Sequence, residues 1–347
     1  MSRKITYCEA INEGIIQEMK QDPSVFIYGI GVTDHKRVFG TTNNIKELFG
    51  EERCFDTPLS ESALTGFALG AAINGMKPIF VHARVDFSLL SINQLVNMIS
   101  SYRYTSSGKC DVPIVIRLVV GRGWGQAAQH SKSLHSLFAH IPGLKVVMPT
   151  TPYDAKGMMI SAIRDNNPVI FIEHRWLYYA EDEVPEESYE VDINKSQILR
   201  HGDDITIVSS SWMTIESIRA SDILKKHGIG VEVIDLRTAT YFDEKLIIDS
   251  VKKTKNSIVA DNDWVYCGLS AEVAAQIYEK CFDFLESPIE RVGFAFAPCP
   301  SSRPLENLFY PNAETIIRLI EKKMGLDPIS IDKEDLYSYE NKFKGPF

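Results

Sequence analysis

Residues 55–83 read FDTPLSESALTGFALGAAINGMKPIFVHA. The stretch decides the fold because its period changes within one short run. Small and apolar residues follow a helical pattern up to Ile73, Gly75 supplies a turn, and PIFVHA is short and continuously apolar. A run of that kind fits a strand buried on both faces, and helix, turn and buried strand in succession are the unit of a parallel α/β sheet. Thr57, Pro58 and Ser60 are helix-start residues. Glu61 then falls in a first turn, where the helix dipole favours an acid by about 0.3–1 kcal/mol. That local account needs no chemistry. The other reading makes Glu61 a functional carboxylate at the mouth of a small, apolar helix. Gly66 and Gly70 cost that helix about 1 kcal/mol each against alanine, and close packing or a nearby ligand is the usual return.

Working outward, the alternation continues. SVFIYGI, KPIFVHA, VPIVIRLVV, LKVVMP and PVIFIEH read as buried strands, with helical patterns near 6–20, 59–74, 88–102 and 153–165. The residues after Glu173 turn polar and acidic, as a crossing between domains does. A second series then follows: DITIVSSS, a helix at 213–227, VEVIDLR, a helix at 243–252, SIVADND, a helix at 268–285, PIERVGFA and a helix near 313–324. The expectation is two α/β domains.

The chain has 347 residues, 44% hydrophobic and 24% charged, with a formal net charge of −9. Those values suit a soluble globular protein and speak against nucleic acid or an anionic membrane as partner. Six cysteines lie far apart without a C-x-x-C pair, which fits a reducing compartment. With no run of about 18 apolar residues and no signal-peptide pattern at the N-terminus, the cytoplasm is the expected location.

No phosphate-binding glycine loop stands out; Gly121, Gly123 and Gly125 follow a strand, but no helix pattern opens directly after them. His130, His135 and His140 stand five residues apart, a spacing that does not align on a helix face and makes a zinc site unlikely. His130 nevertheless closes a loop that follows a strand, and ligands bind at that edge of open α/β sheets.

The stretch 55–75, Asp86-Phe87, Asn93-Gln94, SSYRYTSSG, AAQHSKS, residues 139–174 and the PCP at 298–300 together resemble the β subunit of 2-oxoacid dehydrogenase E1 components. The resemblance runs from about residue 4 to 324. It implies a pyrimidine-binding thiamine-diphosphate domain, a parallel sheet with helices on both faces, at 1–180. A linker at 181–200, a transketolase C-terminal-type α/β domain at 201–327 and a tail at 328–347 follow. The family's diphosphate-and-metal motif, Gly-Asp-Gly with a later Asn, is not found in this sequence. The resemblance therefore implies thiamine diphosphate shared with an E1 α subunit in an α2β2 heterotetramer, Mg2+ held on that partner, and a lipoyl acyltransferase as acceptor protein.

Carried over by position, Glu61 corresponds to the glutamate that hydrogen-bonds N1′ of the aminopyrimidine and promotes its imino tautomer, an acid–base role suited to a dry pocket. Phe87 corresponds to the aromatic stacked on that ring. His130 corresponds to the histidine at the thiazolium end, where a group titrating near neutrality is useful. A potassium loop is implied on main-chain oxygens of Ile114, Ala162, Asp165 and Asn167. Departures occur at Val81, where the family usually has a polar group, at Asn93, and at Ser107-Gly108. They bear on the acyl substrate, so a carboligase or transketolase-like subunit with the same cofactor stands as the alternative to acyl transfer onto lipoyl.

Overall fold

The computed structural model describes residues 2–121 and 125–332. The chain divides into two units, one of Met1–Gly121 with Lys132–Ile193, the other of Arg122–Ser131 with Asn194–Phe347.

In the first unit the strands are β1 Ser2–Thr6, β2 Val25–Gly29, β3 Cys54–Asp56, β4 Lys77–His82, β5 Val115–Val120, β6 Lys145–Val147, β7 Val169–His174 and β8 Glu181–Pro185. Six of them form one parallel sheet in the order β3-β2-β4-β5-β7-β6. Every residue of β2, β5 and β7 is buried, so these continuous apolar runs are explained by cover on both faces. Helix α1, Tyr7–Gln21, starts at a capping box between Thr6 and Glu9. It packs on α3, Pro152–Arg164, so closely that a Cβ on Gly14 would come within 3.2 Å of the Lys156 carbonyl. Between them in sequence, α2 spans Glu61–Ile73. A buried ion pair ties two central strands: Arg117 donates to both Glu173 carboxylate oxygens at 2.9 Å and to Thr41 at 2.7 Å.

The second unit holds β9 Gln197–Arg200, β10 Ile205–Ser209, β11 Val231–Asp235, β12 Ser257–Trp264 and β13 Glu290–Phe294, in the order β13-β12-β10-β11-β9. All neighbours are parallel except β9, which runs antiparallel at one edge. Its longer helices are α4 Ser211–Lys225, α5 Glu244–Thr254, α6 Leu269–Cys281 and α7 Ala313–Met324. A core of isoleucine, valine and alanine side chains from β10, β11, β12, α4 and α7 fills this unit.

The structure departs from the sequence expectations in three places. The stretch 181–200 is not bare linker, since β8 pairs antiparallel with β1 and Gln197–Arg200 pairs with β11. Residues 125–131 group with the second unit although they interrupt the first. The helix expected over 88–102 is broken into a short helix Val85–Ser88, a 3-10 turn Leu89–Ser91, a π turn Gln94–Ile99 and a helix Ser100–Thr105. The cause is local: the Ser88 and Ser100 hydroxyls donate to the carbonyls of Val85 and Val96 at 2.6 Å and compete with the helical ladder. Among the described residues no helix is long and apolar enough to cross a membrane.

Candidate active site

The carboxyl edge of the first sheet holds Glu61 and Phe87, two of the residues singled out in the sequence. Strand β3 ends at Asp56, the chain turns through Thr57–Ser60, and α2 opens on Glu61. Ser60 occupies the cap position but makes no side-chain cap bond. Glu61 is only 9% exposed, and among the described residues no hydrogen bond reaches its carboxylate. A helix-start acid that served the helix alone would sit in water. Its carboxylate is open to a partner from outside this chain, with little water around it.

The side chains beneath α2 hold that first turn in place. Tyr28 donates to the Leu64 carbonyl at 2.7 Å and stacks on Phe80 with centroids 4.7 Å apart, while Phe67 meets Tyr28 edge-on at 5.4 Å. Thr65 donates to the Glu61 carbonyl at 2.7 Å, and its hydroxyl lies 2.8 Å from that of Ser91. At the end of β4 the His82 ring lies 4.4 Å from Phe80, fully buried, and its Nε2 has no partner among the described residues. Burial pushes its pKa down to about 3, so His82 is neutral at physiological pH.

Phe87 lies on the turn that leaves β4, partly buried, its N–H donating to the Arg84 carbonyl at 3.2 Å. Strands β3 and β4 flank β2, so Glu61 and Phe87 emerge from strand ends on either side of one strand. Arg84 donates to the Gly121 carbonyl at 2.5 Å and so tethers the exit of β5. Gly121 needs to be glycine there: its φ is +90°, and a Cβ would come within 2.6 Å of the His174 ring. Arg175 follows on the neighbouring strand, its pKa lowered to about 10 by burial and then by the charge of Arg84.

His130 belongs to the segment that groups with the second unit; it is partly buried and its N–H donates to the Ala127 carbonyl at 3.3 Å. Two residues later, Lys132 donates to Asp86 at 2.8 Å, beside Phe87. The Asp86–Lys132 pair is a site feature that pattern reading missed; the signal was present in that both residues lie in the stretches that carry the family resemblance. His82 was missed because an apolar strand hides its one polar atom.

The four residues of the expected potassium loop lie around the start of β7. The Ile114 carbonyl accepts the Val169 N–H at 2.9 Å, the Asp165 carboxylate accepts both nitrogens of Asn167 at 2.8 Å, and Ala162 is buried in α3. Lys145 also bonds Asp165, and Arg103 donates to the Asn166 carbonyl and to Asn167 at 3.2 Å. Among the described residues no group of three His, Cys, Asp or Glu side chains could hold a metal ion.

Two buried atoms at the β3 and β4 ends have no hydrogen-bond partner among the described residues, the Thr57 hydroxyl and the second oxygen of Asp86, and the Glu61 carboxylate opens beside them. Beside them stands a partly buried aromatic ring. Such a set fits a flat nitrogen heterocycle that presents donors along its edge and a face for stacking.

Comparison with known proteins gives a consistent answer. Residues 3–180 match the transketolase pyrimidine-binding domain and residues 194–316 the transketolase C-terminal domain. Acetoin:2,6-dichlorophenolindophenol oxidoreductase subunit beta of Cupriavidus necator is 42% identical, covering 93% of this chain and 98% of its own. The pyruvate dehydrogenase E1 component subunit beta of Bacillus subtilis is 38% identical over 92% of this chain and 98% of its own. The 2-oxoisovalerate dehydrogenase subunit beta of the same organism is 38% identical over 90% and 96%. A solved structure titled "Split gene transketolase, inactive beta4 tetramer" superposes with a TM-score of 0.74, covering 93% of this chain and 99% of that one. At 19% identity it speaks for the fold alone.

Proposed function

The chain belongs to the transketolase family, among the E1 β subunits, and from that premise we propose that it contributes Glu61, Phe87 and His130 to an active site completed by an α subunit. The cofactor of that site is thiamine diphosphate, which when bound supplies a thiazolium able to carry the negative charge left by decarboxylation of a 2-oxoacid. Each side chain has a distinct task. Glu61 shares a proton between its carboxyl oxygen and the ring nitrogen of the aminopyrimidine. The first turn of α2 keeps the carboxylate oriented, and burial keeps water from competing for it. Phe87 offers its face to the pyrimidine, and His130 exchanges a proton with the substrate or the incoming acceptor. Mg2+ and the diphosphate fall to the α subunit, because this sequence has no Gly-Asp-Gly motif. The acyl group passes to a lipoyl domain in an α2β2 assembly. A potassium ion on the main-chain oxygens of Ile114, Ala162, Asp165 and Asn167 belongs to the same proposal; it would appear as density in a structure of the assembled complex. The reducing cytoplasm suits six cysteines none of which is in a disulfide.

One observation carries this reading: a buried carboxylate with no partner of its own at the opening of α2. Glu61→Gln in the assembled complex should lower turnover by about 10²–10⁴-fold and leave the melting temperature and assembly unchanged. Turnover equal to wild type would remove the catalytic reading in favour of a scaffold.

The substitutions along β4 favour one second reading. Val81, His82 and Arg84 line the end of β4, where the family pattern differs, and the Cupriavidus necator relative is named for acetoin rather than a 2-oxoacid. A carboligase would use the same three residues and deliver the carbon unit to an aldehyde or ketone. Assaying one preparation for lipoyl-domain acylation and for ligation to aldehydes separates the two: acylation without ligation product supports the first, ligation alone the second.

A further inference from the structure

The first turn of α2 is held from the side as well as from beneath, by a segment to which the reading above gives no task. That segment follows β4 as the 3-10 turn Leu89–Ser91 and the π turn Gln94–Ile99. Ser91 is fully buried against Thr65, itself fully buried. The Thr65 hydroxyl donates toward the Glu61 carbonyl at 2.7 Å and toward the Ser91 hydroxyl at 2.8 Å. One buried oxygen is thus held between the backbone of Glu61 and the side chain of Ser91. At the next residue of α2, the Gln94 side-chain amide donates to the Ser62 hydroxyl at 2.8 Å. The Gln94 stem lies along the same helix, since a Cβ added to Gly66 would stand 3.9 Å from its Cγ.

The segment can act as a support because it is anchored. Leu95 and Ile99 are fully buried, so the π turn is pinned to the core while Gln94 faces α2. Departures from α-helical winding of this kind are frequent at functional sites. As a helix, α2 does not need the two lateral bonds: its own ladder opens with the Leu64 N–H on the Ser60 carbonyl at 3.0 Å. The aromatic rings beneath α2 set how deep it lies. Bonds from the side, at residues 61 and 62, set how its first turn is rotated. The direction of the Glu61 side chain follows from that rotation, and a carboxyl used in acid–base work needs its direction fixed closely.

We propose that Ser91 and Gln94 are positioning residues for Glu61, acting through Thr65 and Ser62: they set the rotation of the first turn of α2 and so aim the carboxyl. The proposal rests on the reading that Glu61 works in turnover, and the test keeps the two apart. Wild type, Ser91→Ala, Gln94→Leu, Thr65→Val, Thr65→Ser, Glu61→Gln and the double variant Glu61→Gln/Ser91→Ala are compared in the assembled complex with thiamine diphosphate. Amide exchange at Leu64 and Thr65, which close the first turn of α2, is followed in the full chain alone. Ser91→Ala and Gln94→Leu should each lower kcat about 10-fold with KM nearly unchanged, as a misplaced but intact group does. Both should speed the exchange and move the acid midpoint of the kcat profile, which a smaller folded fraction would leave in place. Thr65→Val should reproduce the defect, and Thr65→Ser, which keeps the hydroxyl, should recover most of it. The double variant should be no slower than Glu61→Gln, since a residue acting through another loses its effect when that other is gone. With Glu61→Gln slow, a wild-type kcat or an unmoved pH profile in either Ser91→Ala or Gln94→Leu would overturn the proposal. Multiplying effects in the double variant would do the same. Wild-type turnover in Glu61→Gln would remove the role of Glu61 and with it this use of Ser91 and Gln94.

Discussion

At the carboxyl edge of the second sheet several polar groups bond one another. Ser210 donates to Asp261 at 2.5 Å, and the same oxygen accepts the Asn262 N–H at 2.9 Å. Thr214 and the Arg237 N–H share an Asp235 oxygen, at 3.3 and 3.2 Å, and Thr238 donates to the Thr240 carbonyl at 2.6 Å. At the carboxyl edge of the first sheet Glu61, one Asp86 oxygen, Thr57 and the His82 Nε2 are left without partners among the described residues. Both edges close parallel strands that lead into helices, although the second sheet adds the antiparallel β9. The second edge also keeps buried atoms without a hydrogen bond among the described residues, the Ser270 hydroxyl among them; what sets the first edge apart is that its open groups include a carboxylate, Glu61. Fold alone could not have told them apart.

The comparison can be broken from the closed side first. Asp261→Ala strands the buried Ser210 hydroxyl and should cost about 2–3 kcal/mol, read as a lower urea midpoint, with turnover per folded complex unchanged. A large loss of turnover at small cost in stability would mean that the second edge also serves chemistry. From the open side, the effect depends on pH. The His82 pKa in the folded chain is lowered to about 3 by burial, below the value of about 6.5 for an exposed histidine. The unfolded chain therefore binds an extra proton below pH 6.5. The stability that His82 contributes is complete above that value and is lost as pH falls toward 3. The slope reaches about 1.4 kcal/mol per pH unit. His82→Leu should flatten the stability curve between pH 6 and 4 by up to that slope, measured by urea titration at each pH. An identical curve would place His82 in contact with water.

Much of this was legible in the residues. Strands β2, β4, β5 and β7 are continuous apolar runs, and helices such as Pro152–Arg164 and Ala313–Met324 carry a clear period and start signals. Short elements escaped because their pairing is distant: β1 finds its partner only at Glu181–Pro185, and β3 has three residues. Glu61 could be singled out from its setting. Its burial without a partner could not, since that depends on Tyr28, Phe80 and Phe67 holding the first turn of α2 down. The break at 88–100 turned on serine hydroxyls that a hydrophobic pattern ignores. The grouping of residues 125–131 with the second unit had no local signal at all.

The most direct test is a structure of this chain assembled with its α subunit and thiamine diphosphate. The account predicts a Glu61 carboxyl oxygen about 2.6–3.2 Å from N1′ of the aminopyrimidine, with the Phe87 ring against its face. A Glu61 side chain turned to solvent, or a residue of the partner in its place at N1′, would contradict it.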